Sequence, residues 1–172
     1  MVWNKLYKAE LFDTLRFPEH HNYEDIWAFP RILDRCKKIQ LVPEALYHHR
    51  MNRESISHNW TYRNFMDSYK SRKALAEYIR KKYPEYDEMI VQYLLKVDVG
   101  HWCKLLLTKT SSKNRKALQE SIRNEVIALR PQSPAKERKI VQRLAENMII
   151  HSPGAAGVMY LAYNQWRRCK GY

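Results

Sequence analysis

Ile90-Val91-Gln92-Tyr93-Leu94-Leu95-Lys96-Val97-Asp98-Val99-Gly100-His101-Trp102-Cys103-Lys104-Leu105-Leu106 decides the class of fold. Ile90, Val91, Leu94, Leu95, Val97, Trp102, Leu105 and Leu106 recur at helical spacing and cover more than one narrow stripe, as in a helix surrounded by others. This segment is therefore expected at the centre of a helical bundle. Upstream, Tyr62, Phe65, Met66, Tyr69, Ala76 and Ile79 share one face of a first long helix. Downstream, Leu118, Ile122, Val126 and Leu129 mark a third, and Val141, Leu144, Ala145 and Met148 a fourth beyond the Pro131 to Pro134 break. Ser133-Pro134 and Ser152-Pro153 each read as an N-cap followed by a first-turn proline, so helix starts are expected there, the last helix running to about Arg168.

The first 59 residues have a different texture. Lys8 to Asp13 reads as a short helix, and Glu24 to Lys38 as a longer one with Ile26, Trp27, Ile32 and Leu33 on its apolar side; Pro30 is tolerable there only near the helix start. Ile39 to Val42 and Ala45 to His49 read as short extended segments. The expected fold is mainly α with a small α/β N-terminal part, divided into residues 1–59 and a basic helical region, 60–172.

Composition agrees with a helical, globular chain. Four Gly against twelve Tyr and five Trp in 172 residues argue against a turn-rich all-β fold and against disorder. Cys36, Cys103 and Cys169 are scattered and form no C-x-x-C pair, which suggests neither a disulfide framework nor a cysteine zinc site and fits a reducing cytoplasm. The net charge of +13 is uneven. Residues 1–59 hold nine Lys and Arg against eight Asp and Glu, and residues 60–172 hold twenty-two against ten. A basic region of this kind attracts polyanions, whether anionic lipid, nucleic acid or a phosphate-rich polymer. No helix-turn-helix, zinc or RNA-recognition motif singles out nucleic acid. Tyr160, Leu161, Tyr163 and Trp166 beside Arg167, Arg168 and Lys170 resemble an interfacial helix end suited to an anionic membrane surface, the alternative being a solvated terminal helix packed on the bundle.

Two clusters could carry chemistry. Glu24-Asp25 follows His20, His21, Asn22 and Tyr23 and opens a helix. Acids in a first turn suit the helix dipole and can be simple caps; a carboxylate within reach of a hydroxyl can also take its proton. Tyr47-His48-His49-Arg50-Met51-Asn52-Arg53-Glu54-Ser55-Ile56-Ser57 concentrates donors, with Arg50 and Arg53 offering planar forks for phosphate and Ser55 a hydroxyl. His48 and His49 are adjacent and would face opposite sides of an extended segment, so no metal site is assigned.

In order and spacing, Trp3-Asn4-Lys5-Leu6-Tyr7-Lys8, Glu10-Leu11-Phe12, Arg16-Phe17-Pro18-Glu19, Tyr23-Glu24-Asp25, Tyr47-x-x-Arg50 and Ser55-Ile56-Ser57 resemble the family 2 glycosyltransferases that build bacterial surface polysaccharides. The resemblance covers residues 1–59. It implies an inverting transfer from a nucleotide sugar to a glycan or lipid-linked acceptor on an A-type glycosyltransferase fold; the expected location is the cytoplasm, with the basic extension suited to peripheral attachment at the inner face of the membrane. Asp25 would be the general base, Glu24, Trp3 and Lys5 would bind acceptor, and Arg50 and Ser55 would close over the diphosphate. A divalent cation, Mg or Mn, would serve the complete enzyme. The Asp-Asp-Gly-Ser and Asp-x-Asp segments of that family are absent from these residues. The expectation is thus a truncated acceptor-side piece, inactive alone and binding no cofactor by itself. A basic nucleic-acid-binding or structural, self-associating helical module is the alternative.

Overall fold

The structure is a computed structural model, and it describes residues 2–50, 61–134, 136 and 138–169. Six α-helices follow in order: α1 (Glu24–Leu33), α2 (Tyr62–Lys82), α3 (Asp87–Leu105), α4 (Ser112–Leu129), α5 (Ile140–His151) and α6 (Pro153–Cys169). Short 3-10 turns occupy Ala9–Phe12, Pro84–Tyr86 and Arg130–Gln132. Among the described residues no strand forms, and a single bridge joins Thr61 to Lys109.

Local signals account for most boundaries. The Thr61 and Ser111 hydroxyls each accept the amide three residues on, from Asn64 and Asn114 at 3.2 Å, capping α2 and α4. Arg80, Lys81 and Lys82 close α2 where its dipole favours cations, and Pro84 stops it. Arginines satisfy helix-end carbonyls elsewhere. Arg115 donates to Leu105 and Thr108 beyond α3, and Arg123 donates twice to Ile150 near the end of α5.

As expected, α3 lies at the centre. Ile90, Val91, Leu94, Leu95, Trp102 and Leu105 are buried against Phe65 and Ala76 of α2, Ile122, Val126 and Leu129 of α4, and Ile149 and Ile150 of α5. A smaller cluster of Leu15, Ala28 and Ile32, with Val2, Tyr7, Leu11, Phe12, Trp27 and Cys36 around it, supports α1. α1 packs on α2. There Arg31 lies between two rings, 4.0 Å from the Trp27 centroid and 4.2 Å from that of Tyr78. One turn on, Asp34 accepts hydrogen bonds from Tyr78, Tyr83 and Lys82.

Several expectations are corrected. Among the described residues the N-terminal part is not α/β: residues 39–42 and 45–49 are coil, with Leu41 84% and Leu46 78% exposed, and no described strand lies beside them to complete a hydrogen-bonded ladder. The Lys8 to Asp13 helix shrinks to a 3-10 turn over Ala9–Phe12. α1 ends at Leu33 rather than Lys38, and Pro30 lies inside it, where it cannot donate to the Ile26 carbonyl. Ser152-Pro153 does open a helix, α6, whereas after Ser133-Pro134 Lys136 lies in a 3-10 turn. Ser133 is extended and buried, and α5 begins only at Ile140. The buried side of α5 is also displaced, from Val141 and Leu144 to Glu146, Ile149 and Ile150. Glu146 turns inward because it meets Arg138 in a buried ion pair, with Gln142 donating at 3.0 Å and the Arg130 guanidinium 3.8 Å away.

Two titratable groups interrupt the apolar face of α3. Asp98 is wholly buried, 3.2 Å from Lys73 Nζ, which also pairs with Glu125; Tyr69 donates to Glu125 at 2.7 Å. Burial pushes the Asp98 carboxyl up to about 7, Lys73 opposing the rise and Glu125 adding to it. His101 is pulled down to about 3, first by burial and then by Lys104 and Arg72. Its Nδ1–H donates to the Val97 carbonyl at 2.9 Å, leaving Nε2 to accept from Ser68 Oγ at 3.2 Å.

These shifts give opposite pH dependences. Between pH 3.8 and about 7 folded Asp98 keeps a proton that the unfolded chain has released, so its contribution to stability falls as pH rises. From pH 6.5 down to about 3 folded His101 stays neutral while the unfolded chain takes up a proton, so its contribution is lost as pH falls. Urea unfolding across this range should show stability rising more steeply with pH in Asp98→Asn than in the parent, and less steeply in His101→Gln. Parallel profiles for all three proteins would contradict the assignment.

Candidate functional site

The Glu24-Asp25 pair occupies the first turn of α1, both side chains partly buried. Its approach is unusual. His20 and Tyr23 both have left-handed backbone, with φ of 59° and 62°. Neither is glycine, and a bulky residue in that region carries strain of roughly 1–2 kcal/mol. The surrounding contacts keep it there. Asn22 N and Nδ2 donate to Asp67 Oδ2 at 3.2 and 3.1 Å, Nδ2 also reaches Asn64 Oδ1 at 2.8 Å, and Arg63 donates to the His20 carbonyl at 2.9 Å. His21 Nδ1 lies 3.6 Å from Asp67 Oδ1. The first turns of α2 thus grip the loop that aims Glu24 and Asp25. The Tyr23 hydroxyl is buried without a hydrogen-bond partner, and burial raises its pKa, Arg72 opposing and Asp67 adding.

Of the other candidates, Lys5 lies against α1 and Trp3 against the coil before Arg50. Lys5 Nζ sits 5.1 Å from the centroid of Phe29, one helical turn beyond Asp25. Trp3 stacks on His49, centroids 4.9 Å apart and planes at 11°, and tilts against Tyr47 at 4.8 Å. Arg50, next to His49 in sequence, is exposed. Ser55 lies outside the described residues, as does the rest of the donor segment from Met51 to Ser57. No group of three His, Cys, Asp or Glu among the described residues is arranged to ligate a metal.

Sequence reasoning missed the supports. Asn64 and Asp67 were legible only as polar positions on α2, and nothing local connects them to Asn22, 42 and 45 residues away. The stacking of Trp3 with Tyr47 and His49 likewise depends on how the coil from residue 39 to 50 returns to the N-terminus. Asp98 and His101 had a signal, being charged or polar positions on an otherwise apolar helical face.

This arrangement defines a helical protein with a strained, acid-bearing helix start and a separate stack of Trp3 with Tyr47 and His49. No protein-family model and no solved structure matches the chain. The chain is similar to glycosyltransferase GlyA of Streptococcus pneumoniae serotype 4 (strain ATCC BAA-334 / TIGR4), with 35% identity over 60 residues. That stretch is 35% of this chain and 9% of that protein. The likeness points to a glycosyltransferase relationship over about a third of the chain.

Replacing Asp67 by Ala leaves the Asn22 backbone amide without its acceptor, at a cost of about 1–3 kcal/mol. Hydrogen exchange at residues 20–26 should quicken in Asp67→Ala while α3 stays protected. Unchanged exchange at 20–26 would show that the loop is held by other contacts.

Proposed function

We propose that this chain is the acceptor-side portion of an inverting family 2 glycosyltransferase of the A-type fold, moving a sugar from a nucleotide donor to a surface-polysaccharide or lipid-linked acceptor. The supporting observation is the Glu24-Asp25 turn, held in strained geometry by α2, in a chain that shares a stretch of sequence with a glycosyltransferase. Asp25 takes the proton of the acceptor hydroxyl as its oxygen attacks the anomeric carbon from the face opposite the leaving diphosphate, so the configuration inverts in a single displacement. Glu24 orients the acceptor, with Trp3 and Lys5 contacting it. Arg50 and Ser55 pair with the diphosphate as negative charge builds on it.

Binding of the sugar nucleotide falls to a segment outside these 172 residues, since neither Asp-Asp-Gly-Ser nor Asp-x-Asp occurs here. A divalent cation would stabilise the leaving diphosphate in the complete enzyme. The described residues of this chain do not fit such an ion, and no step is assigned to it.

The test is nucleoside diphosphate release from a panel of sugar nucleotides by the chain joined to its upstream coding region. Asp25→Asn should lower transfer by about 10²–10⁴-fold while sugar-nucleotide binding persists. Equal turnover by Asp25→Asn would remove Asp25 as base. Absence of transfer, together with salt-sensitive retention of DNA or RNA, would favour a basic nucleic-acid-binding module instead.

A further inference from the structure

α6 is turned the opposite way from an ordinary surface helix. Toward the bundle it presents Ala156 and Gly157, buried, then Tyr160 and Asn164, partly buried, at helical spacing. Gly157 lies close to the end of α3, where an added Cβ would meet Leu106 Cδ1 at 3.7 Å. Its large apolar side chains face away. Val158 is 69% exposed, Met159 60% and Trp166 55%, with Leu161 and Tyr163 similarly open, and Tyr163 and Trp166 stack with centroids 6.2 Å apart. Burial of apolar surface ordinarily dictates which side of a helix meets the bundle, so an outward face of this size implies a partner phase.

Charge identifies that phase. From Lys139 to Tyr172 the only carboxylate side chain is Glu146, wholly buried and paired with Arg138. The same stretch contains Lys139, Arg143, Arg167, Arg168 and Lys170. Self-association through this stretch would bring one net-basic segment against another. A nucleic-acid backbone would match the cations but offers nothing to Val158, Met159 and Leu161. An anionic lipid surface satisfies both requirements, and aromatic residues at a helix end suit the headgroup boundary. No helix among the described residues is long and apolar enough to cross a membrane, so any contact through α6 lies along the surface.

We propose that α6 docks the protein on an anionic bilayer, its Val158, Met159, Leu161, Tyr163 and Trp166 face entering the headgroup–acyl boundary. The inference is independent of the transferase reading. It also reassigns the face: Tyr160 belongs to the bundle side, while Val158 and Met159 join the outer one.

Co-sedimentation of the full chain with phosphatidylcholine vesicles, with and without an equal share of phosphatidylglycerol, tests it. Binding should require phosphatidylglycerol and weaken with salt. Met159→Glu with Trp166→Glu should lower the bound-to-free ratio about tenfold or more. Met89→Glu, an exposed site on α3 that also adds negative charge, should have little effect. Circular dichroism checks folding, and Leu161→Glu alone probes the same face should the double variant not fold. The proposal is overturned by lack of sedimentation, by equal binding of the α6 variants and the parent, or by a concentration-dependent dimer that the α6 substitutions abolish.

Discussion

The attachment of α1 to α2 depends on one carboxylate. Asp34 receives the hydroxyls of Tyr78 and Tyr83 and the Lys82 ammonium, the last at 2.7 Å, while Arg31 fills the space between the Trp27 and Tyr78 rings. Burial works to raise the Asp34 carboxyl, but the hydrogen bonds from Lys82, Tyr78 and Tyr83 outweigh it and hold it below the usual carboxylate range. Among the described residues the apolar cluster beneath α1 contains three buried side chains, Leu15, Ala28 and Ile32. So small a cluster gives weak positional control, and the polar contacts along α2 supply the rest. The same helix grips the Asn22 loop at its other end. α2 therefore fixes α1 at both termini, and with it the direction of Glu24 and Asp25.

Polar groups also organise the main bundle. Asp98 and His101 occupy α3 positions that could have been apolar, and each is matched from a neighbouring helix, by Lys73 and by Ser68. Glu146 and Arg138 do the same at the entry to α5, and they set which side of that helix turns inward. Buried pairs of this sort add little net stability but penalise alternative packings that would leave a charge unmatched. The bundle-facing residues of α6 are small or only partly buried, and its bulk is turned outward.

The helices of the bundle were legible because burial repeats at helical spacing in α2, α3 and α4, and Phe65, Leu95 and Ile122 lie where their stripes put them. Periodicity failed where a charge rather than an apolar residue decided orientation, as Glu146 did in α5. It also failed at residues 39–49, where strand-like composition met no partner strand among the described residues. Glu24 and Asp25 could be located on a helix start from sequence. The left-handed turn before them could not, since it depends on Asn64 and Asp67 more than forty residues away.

The central claim is that α1 and its acidic first turn are held in place by Asp34. Native-state hydrogen exchange on Asp34→Ala and the parent tests this directly. The account predicts that α1 amides lose protection in the variant while those of α3 and α4 keep theirs. Equal protection of α1 in both proteins would mean that the apolar cluster and the Asn22 contacts position the helix without Asp34, and would contradict the account.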